Sequence, residues 1–303
     1  MTDLSVALGP VLMRSPLVAA SGTVGSVVDF AGVGALEAYG AAVAKSVSGT
    51  PWPGNPDPRL ASTGAGMLNA IGIQNPGVAT WVDDVGLLLP GLSVPVWGSV
   101  VGKTVGEFVE VAGKLAATAI EAIEINLSCP NLAGEAIWAL DAEATGAVVR
   151  AVRSAVDKPI GAKLSPNAQD IVAIARAALK GGADWLVLTN TISGAAIDIE
   201  TRRPLLSRTT GGYSGPPLKP IALRCVIEVR SAFPEAQIVG CGGVRSGSDV
   251  VEYLLAGATA VAIGTAHFER PRIGRTIMRQ VRAYCERNGV DRVSDLIGAV
   301  RPW

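Results

Sequence analysis

Along this chain a short apolar run ending in a small or polar residue is followed, repeatedly, by a stretch with helical periodicity. The runs cover residues 16–20, 42–45, 95–99, 122–126, 159–163, 185–189, 237–240 and 260–263. Runs this short and this apolar read as strands buried in a parallel sheet. Between them, 104–118, 142–156, 168–180 and 246–256 carry apolar residues at three- and four-residue spacing, which predicts amphipathic helices. Gly181-Gly182 and Gly257 fall where helix C-caps are expected. Eight repeats predict an α/β fold, a (β/α)8 TIM barrel. An open Rossmann sheet is the alternative, but no GxGxxG follows the first run. Two insertions, 47–81 and 190–217, follow the second and sixth strands and so overhang the C-terminal face of such a barrel. Their Pro, Gly and Asn content suits shaped loops. No polar linker divides the chain, so one domain over 1–303 is expected.

Composition narrows the class. Apolar residues make up 49% of the 303, enough for a large core. Lys+Arg and Asp+Glu balance at 26 each and are scattered, which gives no electrostatic case for nucleic acid or an anionic membrane. Residues 85–102 are uncharged and long enough to raise the question of a membrane span, but Pro90, Pro95 and four glycines break them into loop, strand and loop. The four cysteines form no CxxC pair, so neither a zinc site nor an iron–sulfur cluster belonging to this chain is expected. Met1-Thr2-Asp3-Leu4 lacks the basic and apolar regions of a secretory signal, which leads to the expectation of a cytoplasmic protein with reduced thiols.

The chemistry gathers at the strand ends. Strand two ends in Lys45, strand four in Asn126, strand five in Lys163, and strand six leads into Asn190. Any one alone could be a surface residue; together they converge on the mouth where barrel active sites lie. Gly242-Gly243 and Gly264-Thr265 end strands seven and eight, the recurrent phosphate position of this fold. Cys129, in Asn126-Leu127-Ser128-Cys129-Pro130-Asn131, sits just past a strand end, where a thiolate could serve as base or nucleophile. A structural thiol is the other reading, and it suits Cys225 and Cys285; Cys241 lies at the phosphate turn, packed behind it. His267 is the single histidine and falls in the phosphate region, which argues against a Ser-His-Asp hydrolase.

Longer motifs add a resemblance. They are Ala20-Ser21-Gly22-Thr23, Pro53-Gly54-Asn55-Pro56 with Pro58-Arg59, and Met67-Leu68-Asn69-Ala70-Ile71-Gly72-Ile73-Gln74-Asn75-Pro76-Gly77. With them stand the 126–131 run, Lys163-Leu164-Ser165-Pro166-Asn167, Ala196-Ile197-Asp198-Ile199-Glu200, Gly211-Gly212-Tyr213-Ser214-Gly215-Pro216, Lys219-Pro220 and Gly264-Thr265-Ala266. Across nearly its whole length the chain resembles the catalytic subunit of class 1B dihydroorotate dehydrogenases, flavin enzymes of pyrimidine synthesis. The resemblance implies FMN across the barrel top, its phosphate on Gly242, Gly243, Gly264 and Thr265. Ser21, Ser46, Ser99, Asn126, Thr189 and Gly215 would surround the rest, and Lys163 would lie at the pyrimidine end of the flavin. Lys45 would bridge flavin and substrate. Asn69, Asn126, Asn131, Asn190 and Thr191, with the main chain of Ala70, Ile71, Gly72 and Ile73, would hold the pyrimidine ring and carboxylate. Cys129 would remove the C5 proton while hydride leaves C6 for the flavin. The resemblance further implies a homodimer joined by two electron-transfer subunits, a heterotetramer whose partner carries FAD and a [2Fe–2S] cluster and reduces NAD.

Three departures from the family pattern stand out. Asn131 is followed by Leu132-Ala133-Gly134-Glu135-Ala136 where Val-Lys and a Gly pair are usual, Ser99 replaces a usual asparagine, and Thr189 replaces a frequent isoleucine. Readings that remain open are a fumarate-dependent class 1A-like enzyme, a flavin barrel acting on another dihydropyrimidine, and a non-catalytic barrel sensing a phosphorylated ligand.

Overall fold

In the computed structural model, which describes residues 2–128 and 138–301, the eight runs become strands. They are β1 (Leu17–Ala19), β2 (Ala41–Val43), β3 (Val96–Val100), β4 (Ala122–Asn126), β5 (Ile160–Lys163), β6 (Trp185–Leu188), β7 (Ile238–Cys241) and β8 (Ala260–Ile263). Each pairs in parallel with the next, and β8 pairs with β1, so the sheet closes into the expected barrel.

Helices alternate with the strands: α1 (Val28–Ala31), α2 (Val78–Asp84), α3 (Val105–Ala116), α4 (Ala142–Ala155), α5 (Ile171–Lys180), α6 (Lys219–Ala232), α7 (Gly247–Leu255), α8 (Ala266–Glu269) and α9 (Ile273–Arg287). Their starts follow local chemistry. Thr104, Asp141 and Asp170 each accept a backbone N–H of the first turn through a side-chain oxygen. Ser246 and Asp249 form a reciprocal capping box on α7. The Asp170 cap starts α5 three residues later than the periodicity predicts.

Strand parity fixes what fills the barrel. Trp97, Ser99, Glu124, Asn126, Gly161, Lys163, Trp185 and Val187 occupy alternate positions of β3–β6, the inward set. Trp97 and Trp185 meet with ring centroids 4.8 Å apart, and Ser99 and Glu124 lie one step further along their strands. Asn126 and Lys163 are partners in register at the upper end. Gly161 is small because Trp185 is large: a Cβ there would stand 2.2 Å from Trp185 Nε1. Gly161→Ala is therefore expected to cost about 1–3 kcal/mol through overpacking, read as a lower urea midpoint. An unchanged midpoint would mean that Trp185 yields freely.

Three features depart from the sequence reading. The insertions are not loops alone: Leu60–Ser62 and Met67–Asn69 from the first join Ile192–Gly194 and Gly211–Ser214 from the second in a four-stranded antiparallel sheet. Gly211 and Gly212 make this possible, since a Cβ on either would run into Asn69 O at 2.5 Å or Thr191 Oγ1 at 2.1 Å. Leu68, Ala70 and Leu206 form a small core of their own under this sheet. Within 85–102, Gly86–Gly91 is a 3-10 turn before β3. At the N-terminus a hairpin, Val6–Leu8 with Val11–Met13, packs its buried residues against the main core.

Candidate active site

The barrel mouth and the insertion sheet enclose a cavity of about 450 Å³, within the range of small-molecule sites. Lys45, Asn126, Lys163 and Asn190, the four strand-end residues, all line it. So do Ser21, Ser46, Asn69, Ile71, Ile73, Thr189, Thr191, Gly215, Gly242, Gly243, Gly264 and Thr265. Its two charged lining residues among those described are both lysines, with no carboxylate on the wall. The cavity thus favours an anionic ligand rich in carbonyls and N–H groups.

A polar chain runs across the mouth from β2 to β6. Asn126 Nδ2 donates to Ser46 Oγ at 3.0 Å, and Ser46 Oγ lies 2.8 Å from Ser99 Oγ. Asn126 Oδ1 accepts from Ser128 Oγ at 3.3 Å, which in turn accepts from Asn190 Nδ2 at 3.0 Å. Asn190 Oδ1 accepts the Thr191 backbone N–H at 2.8 Å. Each amide is oriented by a neighbour before any ligand arrives, so little side-chain ordering is left for binding.

Not every expected residue reaches the cavity. Ser99 is fully buried, and its hydroxyl meets that of Ser46, which does line the cavity. Ala70 lies in the small core under the insertion sheet, and its carbonyl accepts from Asn55 Nδ2 at 2.9 Å. Gly72 shapes the turn beside it, with φ +71° and Asn55 N only 2.6 Å from where a Cβ would be. Cys129, Asn131 and the 132–136 segment lie outside the described residues.

Other lining residues were not singled out in the sequence. Thr23, Met67, Gln74 and Ser214 line the cavity and fall inside motifs that marked the region without marking them. Leu60 and Phe268 also line it while 52% and 56% exposed, and only their exposure in the fold reveals them. Cys241 belongs to the wall itself rather than behind it; burial pushes its thiol up, an effect that nearby Lys163 opposes. Cys225 and Cys285 are buried in α6 and α9, away from the cavity, as structural thiols.

His267 is buried in α8 and holds the cavity wall together. Its Nε2 is 2.7 Å from the Tyr39 hydroxyl and its Nδ1 is 3.0 Å from Thr23 Oγ1. Thr23 Oγ1 donates to Ala20 O at 2.9 Å, so Nδ1–H is the donor to Thr23 and Tyr39 donates to Nε2. Burial in this setting lowers the imidazole to a pKa of about 4. A neutral, fully engaged imidazole ties β8 to the loop after β1 and has no nucleophile to serve.

Comparison with known proteins gives the family. A sequence model of the family described as "Dihydroorotate dehydrogenase" matches residues 4–284. The chain is 43% identical over 300 residues to the "Dihydroorotate dehydrogenase B (NAD(+)), catalytic subunit" of Geobacter sp. (strain M21), covering 98% of both chains. It is 39% identical over 297 residues to the protein so described in Alkaliphilus oremlandii (strain OhILAs), again covering 98% of each. Among solved structures, DHODH from Eimeria tenella in complex with ferulenol superposes with a TM-score of 0.84, at 21% identity, over 98% of this chain and 88% of that one. That last likeness concerns the fold. With a matched family model over most of its length and relatives this similar over their full span, the chain belongs to the dihydroorotate dehydrogenase family.

Proposed function

We propose that this chain oxidises dihydroorotate to orotate in pyrimidine biosynthesis, with FMN held in the barrel mouth. The observation that carries the reading is the cavity wall: two lysines, no carboxylate among the described lining residues, and a row of pre-oriented amides. FMN and orotate both bring negative charge together with ring carbonyls and N–H groups.

The residues present fit the flavin. A Cβ on Gly264 would meet only Ala20 Cβ and Thr23 Cγ2, each at 3.8 Å, and one on Gly22 only Lys45 Nζ at 4.0 Å. Both glycines therefore leave open space where the main chain borders the cavity. Gly243, at φ +69°, packs so close that a Cβ would lie 2.9 Å from Lys219 N and 3.0 Å from Gly215 O. These turns, with Gly242 and Thr265, would hold the phosphate; Ser21, Ser46, Thr189 and Gly215 would border the rest. Bound FMN supplies the acceptor for the hydride that leaves C6.

The protein supplies position and proton transfer. Lys163 would place an ammonium at the pyrimidine end of the flavin, and Lys45 would place one between flavin and substrate. Asn69, Asn126, Asn190 and Thr191, with Asn131, orient the pyrimidine ring and its carboxylate. Cys129, which directly follows the anchored Ser128, takes the proton from C5. A second subunit carrying FAD and a [2Fe–2S] cluster would take the electrons on to NAD, two copies of it joining a homodimer of this chain. The relatives described as NAD(+) catalytic subunits favour this route over fumarate.

Titrating the FMN-loaded chain with orotate tests the assignment. Orotate is expected to perturb the flavin absorbance and uracil to leave it unchanged. A response to uracil and none to orotate would redirect the reading to another dihydropyrimidine.

A further inference from the structure

Glu124 is a carboxylate in the barrel interior that the proposed reaction does not use. It is 2% exposed on β4 and lies two residues before Asn126, on the same inward face. It is the one Asp or Glu in the buried set of described residues. Its Oε1 makes no hydrogen bond, yet stands 3.6 Å from the ammonium of Lys163, itself 6% exposed. Such a spacing supplies countercharge without a short donor–acceptor link.

A lysine enclosed in a low-dielectric wall tends to lose its proton unless an anion lies close. A carboxylate buried without a cation is equally unfavourable, so the two charges support one another. The pair joins adjacent strands, with Glu124 below and Lys163 Nζ on the cavity wall. Cys241, from β7, is the third titratable group in its field.

We propose that Glu124 is a positioning residue that holds Lys163 in its ammonium form and thereby sets the charge facing the pyrimidine end of the flavin. This rests on the FMN reading above. The carboxylate acts through Lys163 and touches neither flavin nor substrate. Removing it withdraws the countercharge 3.6 Å from the lysine, and the positive charge that favours the anionic reduced ring is weakened with it.

The test uses the full chain loaded with FMN, as parent, Glu124→Gln, Glu124→Asp, Lys163→Met and the Glu124→Gln/Lys163→Met double variant. FMN content is measured first, then the reduction of bound FMN against a reference dye. Glu124→Gln is expected to retain FMN, because the phosphate turns on β7 and β8 are untouched. Its reduced-to-oxidised ratio at a fixed dye potential should fall at least tenfold, about 30 mV for a two-electron couple. Glu124→Asp, which keeps the charge, should stay close to the parent, and Glu124→Gln should add nothing in the Lys163→Met background. An unchanged or raised ratio in Glu124→Gln, or additive losses in the double variant, would overturn the proposal. Loss of FMN from both Glu124 variants would assign the carboxylate a purely structural role and overturn it as well. A parent chain that takes up no FMN would overturn the cofactor reading itself, an outcome distinct from all of these.

Discussion

The Cys129→Ala variant is expected to lose between about a hundredfold and ten-thousandfold in turnover of dihydroorotate, the usual contribution of a positioned general base, while its FMN content stays at the parent level. Two C–H bonds of the substrate must break, and only the C6 bond has the flavin as acceptor. The C5 proton needs a base of its own. Ser128 is held by Asn126 and Asn190 at the cavity mouth, and Cys129 is the next residue in the chain. The flavin's proposed contacts lie elsewhere, on the turns after β7 and β8, so cofactor and base separate cleanly in this experiment. Orotate should still perturb the flavin spectrum of the variant, because the asparagines proposed to hold it are intact. Near-full turnover would remove Cys129 from the mechanism.

Acid should weaken the fold well before its carboxylates protonate. His267 has a pKa of about 4 in the folded chain against 6.5 for a solvated imidazole. Between these values the unfolded chain binds a proton that the folded chain refuses, so stability falls as pH drops from about 6.5 and levels off below about 4. Two and a half pH units correspond to a loss of roughly 3 kcal/mol. Hydrogen bonding acts beside burial: protonation would turn Nε2 into a donor facing a Tyr39 hydroxyl that now donates to it. Because Thr23 and Ala20 border the cavity, FMN release should accompany the same transition. Urea midpoints at pH 7, 5.5 and 4.5 measure the effect, with His267→Gln as the comparison. The variant should be less stable at pH 7 but should show a shallower decline over this window. An identical decline in both chains would assign the acid sensitivity to other groups.

Much of this architecture was legible in the sequence because the barrel strands are apolar runs whose ends carry conspicuous polar residues. Lys45, Asn126, Lys163 and Asn190 could each be read as strand-end residues, and the fold brings all four into one cavity. The insertion sheet was not legible. Gly211–Ser214 contains two glycines and a serine, and its neighbour Met67–Asn69 comes from a distant segment. Neither strand has the alternating β-branched pattern that marks a sheet; close backbone approach holds them together instead. Three-residue strands hid the N-terminal hairpin in the same way. Glu124 was concealed for a different reason. It sits within the run Ala122-Ile123-Glu124-Ile125-Asn126, where a charge looks like an interruption until the register sets it below Lys163. Ser99 reads in sequence as a residue beside the flavin; in the fold it is fully buried, with its hydroxyl 2.8 Å from Ser46 Oγ.

The central claim is that this cavity unites a flavin with dihydroorotate, and anaerobic mixing of the FMN-loaded chain with dihydroorotate tests it most directly. The account predicts rapid bleaching of the oxidised flavin absorbance, with orotate formed in proportion to the flavin reduced. A chain that binds FMN and stays fully oxidised in the presence of dihydroorotate would contradict it.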